Sequence, residues 1–349
     1  MSNASRRLSG HVALVAGATR GAGRGIALEL ALAGARVYCT GRSTRAQGAT
    51  AGRPETIEET AELIAAAGGE AVWVQVDHTK DIEVAALADR LRGDGGRLDI
   101  LVNDIWGGDA LIDWDAKFWD LDTETVRAVV DQAILSHLIT ARHLAPLMVE
   151  ARRGLIVEVT DGEQPGYRGQ LLYDLVKASV VRLAYAMAWD LAASGVTALA
   201  ISPGFLRSEA ILDRFGVTEA NWRDAAKAHP DFAHSETPRY VGRAIAALAA
   251  DPKVGRKAGL ALCGADLAVE YGFTDLDGSR PHFWRSIEAW LDGEIAKAGD
   301  LAPNAHRMAC ARYRNIHPSA ARAEQAGRYA TKLGYRGLGG GLRPVGGAV

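Results

Sequence analysis

Residues 12–23 have the sequence Val-Ala-Leu-Val-Ala-Gly-Ala-Thr-Arg-Gly-Ala-Gly, in which an apolar run leads directly into a glycine-rich loop. The apolar run predicts a buried strand, and the segment after the loop has the periodicity of a helix. Glycines allow a sharp turn and let the backbone come close to a ligand, while the helix N-terminus supplies unpaired N–H groups for a phosphate. We therefore predict a dinucleotide site here; a turn without ligand is the weaker alternative. The predicted contacts are Gly17, Thr19, Arg20, Gly21, Ala22 and Gly23.

Along the rest of the chain, short β-branched runs alternate with longer amphipathic segments, which is typical of a parallel sheet covered by helices. The predicted fold class is α/β, with a Rossmann-like, doubly wound parallel sheet of seven strands and helices on both faces. Ligands of such sheets bind at the carboxyl ends of the strands. The strands are predicted at Val12–Ala16, Arg36–Thr40, Ala71–Val76, Ile100–Asn103, Leu155–Thr160, Thr197–Ser202 and Leu260–Cys263.

Two segments interrupt this alternation. Residues 205–237 mix aromatic and charged side chains, and we predict a helical lid over the active face. Residues 279–349 are predicted to form a helical C-terminal extension with a mobile, Gly-rich end, after a nucleotide-binding domain at residues 1–278. The end of the chain is basic, which fits either a contact with the acidic body or a solvated extension. A nucleic-acid-binding arm is the weaker alternative, because the segment lacks aromatic interleaving at a binding fold.

Composition restricts the class of protein. The chain has 349 residues, 48% hydrophobic and 23% charged, with a net charge of −2, so no overall attraction to nucleic acid or to an anionic membrane is expected. No apolar run is long enough to cross a membrane and no signal peptide is evident, which predicts a cytoplasmic protein. Cys39, Cys263 and Cys310 are far apart, and the histidines lack partners at ligand spacing, so we expect neither disulfides nor a metal.

The end of the second predicted strand indicates which nicotinamide cofactor is used. An acidic side chain there would bind the ribose hydroxyls and repel a 2′-phosphate, but the sequence is Thr-Gly-Arg-Ser at residues 40–43. Two guanidinium groups and a hydroxyl, from Arg20, Arg42 and Ser43, favour NADPH over NADH. The alternative is that both arginines are solvated surface residues.

Tyr173 and Lys177 lie one turn apart at the start of a predicted helix, so their side chains share one face. A nearby cation favours the phenolate, which suits Tyr173 to proton transfer. With the glycine loop, this pair resembles the short-chain dehydrogenase/reductase family over about residues 8–275. The resemblance implies that Tyr173 is the general acid/base and that Lys177 also holds the nicotinamide ribose. It implies further cofactor contacts at Asp77, His78, Asn103, Pro203, Gly204 and Ser208.

Three departures from the family pattern resemble an atypical bacterial subgroup with an altered catalytic serine position. The serine is replaced by either Thr160 or Asp161, depending on whether the register is counted from Tyr173 or from Gly154. Thr160 would donate a hydrogen bond to a carbonyl, whereas Asp161 would do so only when protonated. Asp131 stands where the family often has a water-holding asparagine. Trp106 lies in a turn that is otherwise small.

Aromatic side chains in the loops of the predicted active face are expected to wall an apolar pocket; anchoring of the lid is the alternative. Those predicted to line the pocket are Trp106, Phe205, Phe215 and Trp222, with Trp114 and Trp119 nearby. The predicted activity is NADPH-dependent interconversion of a carbonyl compound and an alcohol by hydride transfer. A catalytically silent NADP-binding sensor or scaffold, or a non-redox lyase or epimerase, are the alternatives. The resemblance also implies a homodimer or homotetramer paired through the helices predicted at Thr123–Arg152 and Leu171–Ala193.

Overall fold

Seven strands form a single sheet in the order β3-β2-β1-β4-β5-β6-β7, and each neighbouring pair is parallel. The structure is a computed structural model that describes residues 6–161 and 170–286. The strands are β1 Val12–Ala16, β2 Arg36–Gly41, β3 Glu70–Gln75, β4 Ile100–Asn103, β5 Gly154–Val159, β6 Val196–Ser202 and β7 Ala261–Cys263. The predicted fold class, a doubly wound parallel sheet, is confirmed.

Helices cover both faces of this sheet. They are α1 Gly21–Leu32, α2 Ile57–Ala66, α3 Asp81–Gly93, α4 Thr123–Val130, α5 Ser136–Ala151, α6 Leu171–Asp190, α7 Glu209–Arg214, α8 Pro238–Ala249 and α9 Gly264–Tyr271. One apolar core includes Ile26 of α1 and Ile245 of α8, and a second core includes Leu87 of α3 and Leu144 of α5. Because both faces are covered, the strands are nearly continuous apolar runs rather than alternating ones. No described helix is long and apolar enough to span a membrane.

The order of the strands reverses between β1 and β4, and their carboxyl ends form the crevice where doubly wound sheets bind ligands. Gly17 follows β1 with φ +91°, and a Cβ atom there would clash with the carbonyl oxygen of Asp104. Asp104 follows β4, and its N–H donates to the carbonyl oxygen of Ala16 at 2.9 Å. The glycine loop and the end of β4 are therefore packed directly against each other.

The long helix predicted before β5 is interrupted. A π-helical turn at Asp131–Leu135 separates α4 from α5. Such turns add one residue to a helix, and they often occur at functional sites. This turn brings Ala133 to the active face, as described below.

After β6 the chain leaves the sheet and returns at an isolated parallel bridge between Leu206 and Glu236. The residues between them form α7 and two short 3₁₀ turns at Trp222–Lys227 and Pro230–His234. We refer to residues 207–235 as the lid. Of the predicted C-terminal extension, residues 283–286 are helical and the part from residue 287 onward lies outside the described residues.

Candidate active site

Tyr173 and Lys177 occupy the first two turns of α6, as their spacing predicts. The side chain of Gln170 caps this helix by accepting a hydrogen bond from the Tyr173 N–H at 2.8 Å. The Tyr173 hydroxyl donates to Asp161 Oδ2 at 2.7 Å. Thr160 Oγ1 instead donates to the backbone carbonyl of Lys177 at 2.8 Å. Of the two residues predicted at the serine position, Asp161 is therefore the one that faces the phenol, whereas Thr160 fixes the start of α6.

Two opposing effects act on the pKa of Lys177. Burial lowers the pKa of Lys177, while the carboxylates of Asp161, Asp104 and Asp109 act in the opposite direction. Its Nζ atom lies 4.1 Å from the centroid of the Trp106 ring, in a cation–π contact. The same Nζ atom lies 5.4 Å from the centroid of the Tyr173 ring, so a cation lies beside the phenol.

Asp104 is a site residue that sequence analysis did not identify. Burial raises the pKa of Asp104 to about 7, although Lys177, His137 and the Gly23 N–H all oppose this rise. Asp104 therefore interacts with both the glycine loop and Lys177. The signal in the sequence was its position directly after Asn103, where the loop departs from the family pattern.

A small cavity of about 20 Å³ lies beneath Lys177. Its volume is enough for one water molecule. The lining residues are Asp104, Ile105, Trp106, Ala133, His137, Val159, Lys177 and Val180. The prediction that Asp131 positions a water is not supported, because its side chain is exposed and Ala133 of the same π turn lines the cavity.

His137, which lines this cavity, is paired with the buried carboxyl group of Glu158, a contact that sequence analysis missed. His137 Nδ1 lies 2.5 Å from Glu158 Oε2, and His137 Nε2 lies 2.9 Å from the carbonyl oxygen of Ile105. Burial alone would lower the pKa of His137, but the charge and hydrogen bond of Glu158 raise it above its ordinary value. Since the Ile105 carbonyl only accepts, Nε2 carries a proton, and Nδ1 faces the Glu158 carboxyl group.

Two predicted cofactor contacts have side chains that face the interior instead of the crevice. Asn103 is fully buried, and its Nδ2 donates to Glu158 at 2.7 Å. His78 bridges the hydroxyls of Thr40 and Thr140, and burial lowers its pKa to about 3. Neighbouring strands and helices supply the hydrogen-bond partners of these two side chains, and the cofactor contacts predicted at both residues remain predictions.

The glycine loop has the shape of an anion site. A Cβ atom on Gly23 would clash with the carbonyl of Gly17, so the loop is compatible only with glycine there. The Gly21 N–H donates to the carboxylate of Glu209 at 2.8 Å, and Arg24 lies 3.4 Å from the same carboxylate. An N–H group at the start of α1 therefore already binds an oxyanion, supplied by the lid.

The residues predicted to select the cofactor divide into two groups. Arg20 lies 3.2 Å from Glu55, and Ser43 is buried with its hydroxyl 2.9 Å from Thr50. Both are thus engaged by the loop between β2 and α2, and the prediction that they face a 2′-phosphate is not supported. Arg42 is half-buried, and its Nη2 donates to Gln132 across the crevice at 3.3 Å.

The remaining predicted contacts surround the same crevice. Thr19 and Ala22 are buried in the loop, and Asp77 accepts hydrogen bonds from Thr79 in a turn after β3. Pro203 and Gly204 follow β6, and Ser208 occupies the N-cap position of α7. The Pro203 carbonyl accepts a hydrogen bond from Trp284 Nε1 at 2.9 Å, which fixes this turn.

The predicted pocket aromatics also separate into two sets. Trp106 lies edge-on to Tyr173 with ring centroids 5.7 Å apart, and Trp114 lies 5.0 Å from the same ring. Phe205, which precedes the lid, instead packs with Phe215, Trp222 and Phe232 of the lid. Trp222 is almost fully buried there, beneath the guanidinium of Arg207 at 4.1 Å. For Trp222 the alternative interpretation, an anchor of the lid, is the one that the structure supports.

One cluster outside the crevice could hold a metal by distance alone. Ligand atoms of Cys263, Asp266 and His282 lie within 4.8 Å of one another. However, Asp266 accepts from Arg285 at 2.9 Å and lies 3.1 Å from His282. The carboxylate is thus already neutralised by a guanidinium, which disfavours a cation at this position.

Comparisons with known proteins agree with this geometry. The family model described as "Enoyl-(Acyl carrier protein) reductase" matches residues 17–274. The mouse protein "Dehydrogenase/reductase SDR family member 1" is 34% identical over 276 residues, which are 78% of this chain and 85% of the relative. A 3-oxoacyl-[acyl-carrier-protein] reductase from Synechocystis is 32% identical over 203 residues, which are 58% of this chain and 76% of the relative.

Solved structures show the same similarity. A hydroxysteroid dehydrogenase from Escherichia coli superposes with a TM-score of 0.59 at 25% identity, over 75% of this chain and 98% of that chain. A protein from Beutenbergia cavernae, described as an NAD(P)-dependent gluconate 5-dehydrogenase with bound NADP at low occupancy, gives a TM-score of 0.58 at 25% identity. That match covers 74% of this chain and 96% of the other.

Proposed function

Because the chain belongs to the short-chain dehydrogenase/reductase family, we propose that it uses Tyr173 as the general acid/base and NADPH in preference to NADH. It is an NAD(P)-dependent oxidoreductase that acts on CH–OH or C=O groups. The observation that supports the role of Tyr173 is its position: its hydroxyl lies at the head of α6, beside the Lys177 ammonium and Asp161.

The residues present fit a dinucleotide. Glycine is required where Gly17 meets Asp104 and where Gly23 meets Gly17, and the Gly21 N–H binds an oxyanion. The dinucleotide, when bound, supplies or accepts the hydride. Tyr173 would donate a proton from Oη to the carbonyl oxygen in reduction, or accept the alcohol proton in oxidation. Lys177 would stabilise the negative charge that Tyr173 carries during transfer and would hold the nicotinamide ribose.

An activity assay with a matched variant tests this proposal. Purified protein should oxidise NADPH with at least some aromatic or aliphatic ketones, and Tyr173→Phe should lower kcat by about 10²-fold or more, since it removes the proton donor. NADPH binding, followed by the quenching of protein fluorescence, should be retained in the variant. Tight NADPH binding without turnover of any carbonyl compound would support a silent NADP-binding sensor instead. A non-redox lyase or epimerase would convert substrate without net change in NADPH.

Arg42 supports the preference for NADPH, because β2 ends without an acidic side chain and Arg42 extends into the crevice. A guanidinium pairs with a 2′-phosphate, which NADH lacks. Arg42→Ala should therefore weaken NADPH binding by about tenfold, an estimate equal to one lost charge-assisted contact, and leave NADH nearly unchanged. Arg45→Ala is the control, since Arg45 pairs with Glu62 on the surface. Equal losses for both cofactors would contradict the assignment.

The homo-oligomeric state and cytoplasmic location predicted from the sequence remain proposals. Exposed apolar side chains on α5 and α6, such as Leu138 and Leu175, support self-association through these helices. The predicted division into a domain at residues 1–278 and an extension at residues 279–349 is likewise a proposal. The substrate is proposed to be a small carbonyl or alcohol compound that reaches Tyr173 past Trp106 and Trp114.

A further inference from the structure

The position of Asp161 raises a chemical question, because an ionised carboxylate cannot donate a hydrogen bond to a substrate carbonyl. The Tyr173 hydroxyl donates to Asp161 Oδ2 at 2.7 Å, so in this arrangement the carboxylate is an acceptor. A phenolate and a carboxylate at this distance would repel each other strongly. The two oxygens are therefore stable when they share one proton, and the pair must be treated as a unit.

We propose that Tyr173 and Asp161 form a proton-accepting dyad, in which Asp161 takes the proton that Tyr173 gives up when an alcohol is oxidised. This inference rests on the proposed function and deepens it. Asp161 acts through Tyr173, so it is a positioning and proton-holding residue instead of a group that contacts the substrate.

The step balances as follows for a secondary alcohol and NADP⁺. The alcohol C–H bond breaks, and its electron pair leaves with the hydrogen as hydride to the nicotinamide ring. The alcohol O–H proton passes to Tyr173 Oη, while the original Oη proton passes to Asp161 Oδ2. The products are a ketone, NADPH and a protonated Asp161, which is half-buried and can release its proton to solvent.

Alcohol oxidation and carbonyl reduction require opposite protonation states of Asp161. Oxidation needs an ionised Asp161 to receive the proton, and reduction needs a protonated Asp161 so that no phenolate is left beside a carboxylate. The rate of oxidation should therefore rise with pH, and the rate of reduction should rise as pH falls, through one shared titration. The carboxyl group of Asp161 beside Tyr173 thus favours alcohol oxidation over carbonyl reduction as pH rises.

Other charged groups lie around the dyad on neighbouring elements. Among the described residues these are Lys177 on α6, Asp104 and Asp109 in the loop after β4, and the His137–Glu158 pair of α5 and β5. Asp109 offers a matched control, because it is an acid that acts on Lys177 but bonds to Trp106 Nε1 at 2.6 Å and not to Tyr173.

The test compares Asp161→Asn, Asp161→Ser and the control Asp109→Asn in the full-length protein. Asp161→Asn has the same shape but cannot take a proton, and should lower the kcat of alcohol oxidation by about 10²-fold, a typical contribution of proton transfer, and remove its rise with pH. Asp161→Ser should retain reduction without the requirement for low pH. Asp109→Asn should keep the pH profile of the wild type. Identical profiles for Asp161→Asn and Asp109→Asn would overturn the dyad.

A second measurement separates this inference from the proposed function. Ultraviolet difference spectra of the NADP⁺ complex report the ionisation of Tyr173, once the spectrum of Tyr173→Phe is subtracted. Asp161→Asn should move this ionisation to lower pH by at least one unit, because a neighbouring negative charge is removed. An unchanged titration would overturn the dyad whatever the activity. A shifted titration without turnover of any alcohol or ketone would leave the dyad standing and refute the oxidoreductase assignment of Tyr173.

Discussion

Glu236 is fully buried at the base of the lid, and neither of its carboxyl oxygens makes a hydrogen bond of normal geometry with the described residues. Burial raises the pKa of Glu236 to about 8, with Asp275 adding to the effect and the Gly204 N–H and Arg207 opposing it. Its main chain pairs with the segment after β6, and its side chain lies against Gly204 in the turn predicted to meet the cofactor. A neutral carboxyl group is thus built into the hinge of the lid.

This residue makes stability depend on pH. In the unfolded chain Glu236 loses its proton near pH 4.5, whereas the folded protein keeps it up to about pH 8. The folded state therefore binds more protons in this window, and the free energy of unfolding should fall as pH rises, by up to about 1 kcal/mol per pH unit. Urea unfolding at pH 5 and at pH 8 measures this slope, and Glu236→Gln should flatten it.

Glu270→Gln is the control for this prediction, because Glu270 is exposed and pairs with Lys257 at the surface. It should keep the slope of the wild type. If Glu236→Gln left the slope unchanged, the buried carboxyl would not be the origin of the pH dependence.

Site residues were predictable where a local pattern specified them. Tyr173 and Lys177 are four residues apart on one helix, so spacing alone placed them together. Asp161 could not be separated from Thr160, because the choice depends on which side chain turns toward α6 at the end of β5. The His137–Glu158 pair joins residues of two elements, and nothing in either local sequence indicates that they meet.

At the scale of elements, the strands were predicted well because each contains a short apolar run; most of these runs are buried, whereas β3 lies at the edge of the sheet and is partly exposed. Helix limits depend on local caps: α2 begins at Ile57, where the Thr56 side chain accepts a hydrogen bond from the Glu59 N–H. The π turn at Asp131–Leu135 was not predicted, since one additional residue barely alters hydrophobic periodicity. Helix α9 was also missed, because it starts directly after the short β7.

Helix α7 makes a contact with α1 that leads to a prediction for cofactor binding. Its Glu209 accepts from the Gly21 N–H at the site predicted for the pyrophosphate. A phosphate at that N–H must displace the carboxylate, and two anions at one helix terminus repel each other. Glu209→Gln should therefore tighten NADPH binding several-fold, about 1 kcal/mol for one competing charge at a helix end, as measured by fluorescence titration.

Asp213→Asn is the matched control on the same helix, since Asp213 pairs with Arg53 at 2.7 Å and does not contact the glycine loop. It should leave NADPH affinity nearly unchanged. If Glu209→Gln weakened NADPH binding instead, Glu209 would hold the lid closed over the cofactor and would not compete with it.

At the scale of the whole molecule, the crevice at the switch point gathers residues from β1, β4, β5, α5 and α6. Side chains far apart in sequence, such as Asp104 and Lys177, meet there because the carboxyl ends of parallel strands share one edge of the sheet. The outer surface of the protein also bears side chains that need a contact. There, apolar side chains need a partner to leave water, and α6 carries four large ones on one face.

The exposed apolar residues of α6 are Leu171, Leu175, Tyr185 and Trp189. At about 100° per residue, all four lie on one face of the helix. Leu138 and Val149 are exposed on α5. A monomer would leave this surface in water, so we expect the protein to self-associate through it.

Leu175→Glu should convert the dimer or tetramer to a monomer, measured as molar mass by light scattering after size-exclusion chromatography. Ile82→Glu on α3 is the control, because Ile82 is an isolated exposed residue that should not alter the mass. A wild-type protein that is monomeric at micromolar concentration would refute the interface, and equal dissociation by both variants would place the contact elsewhere.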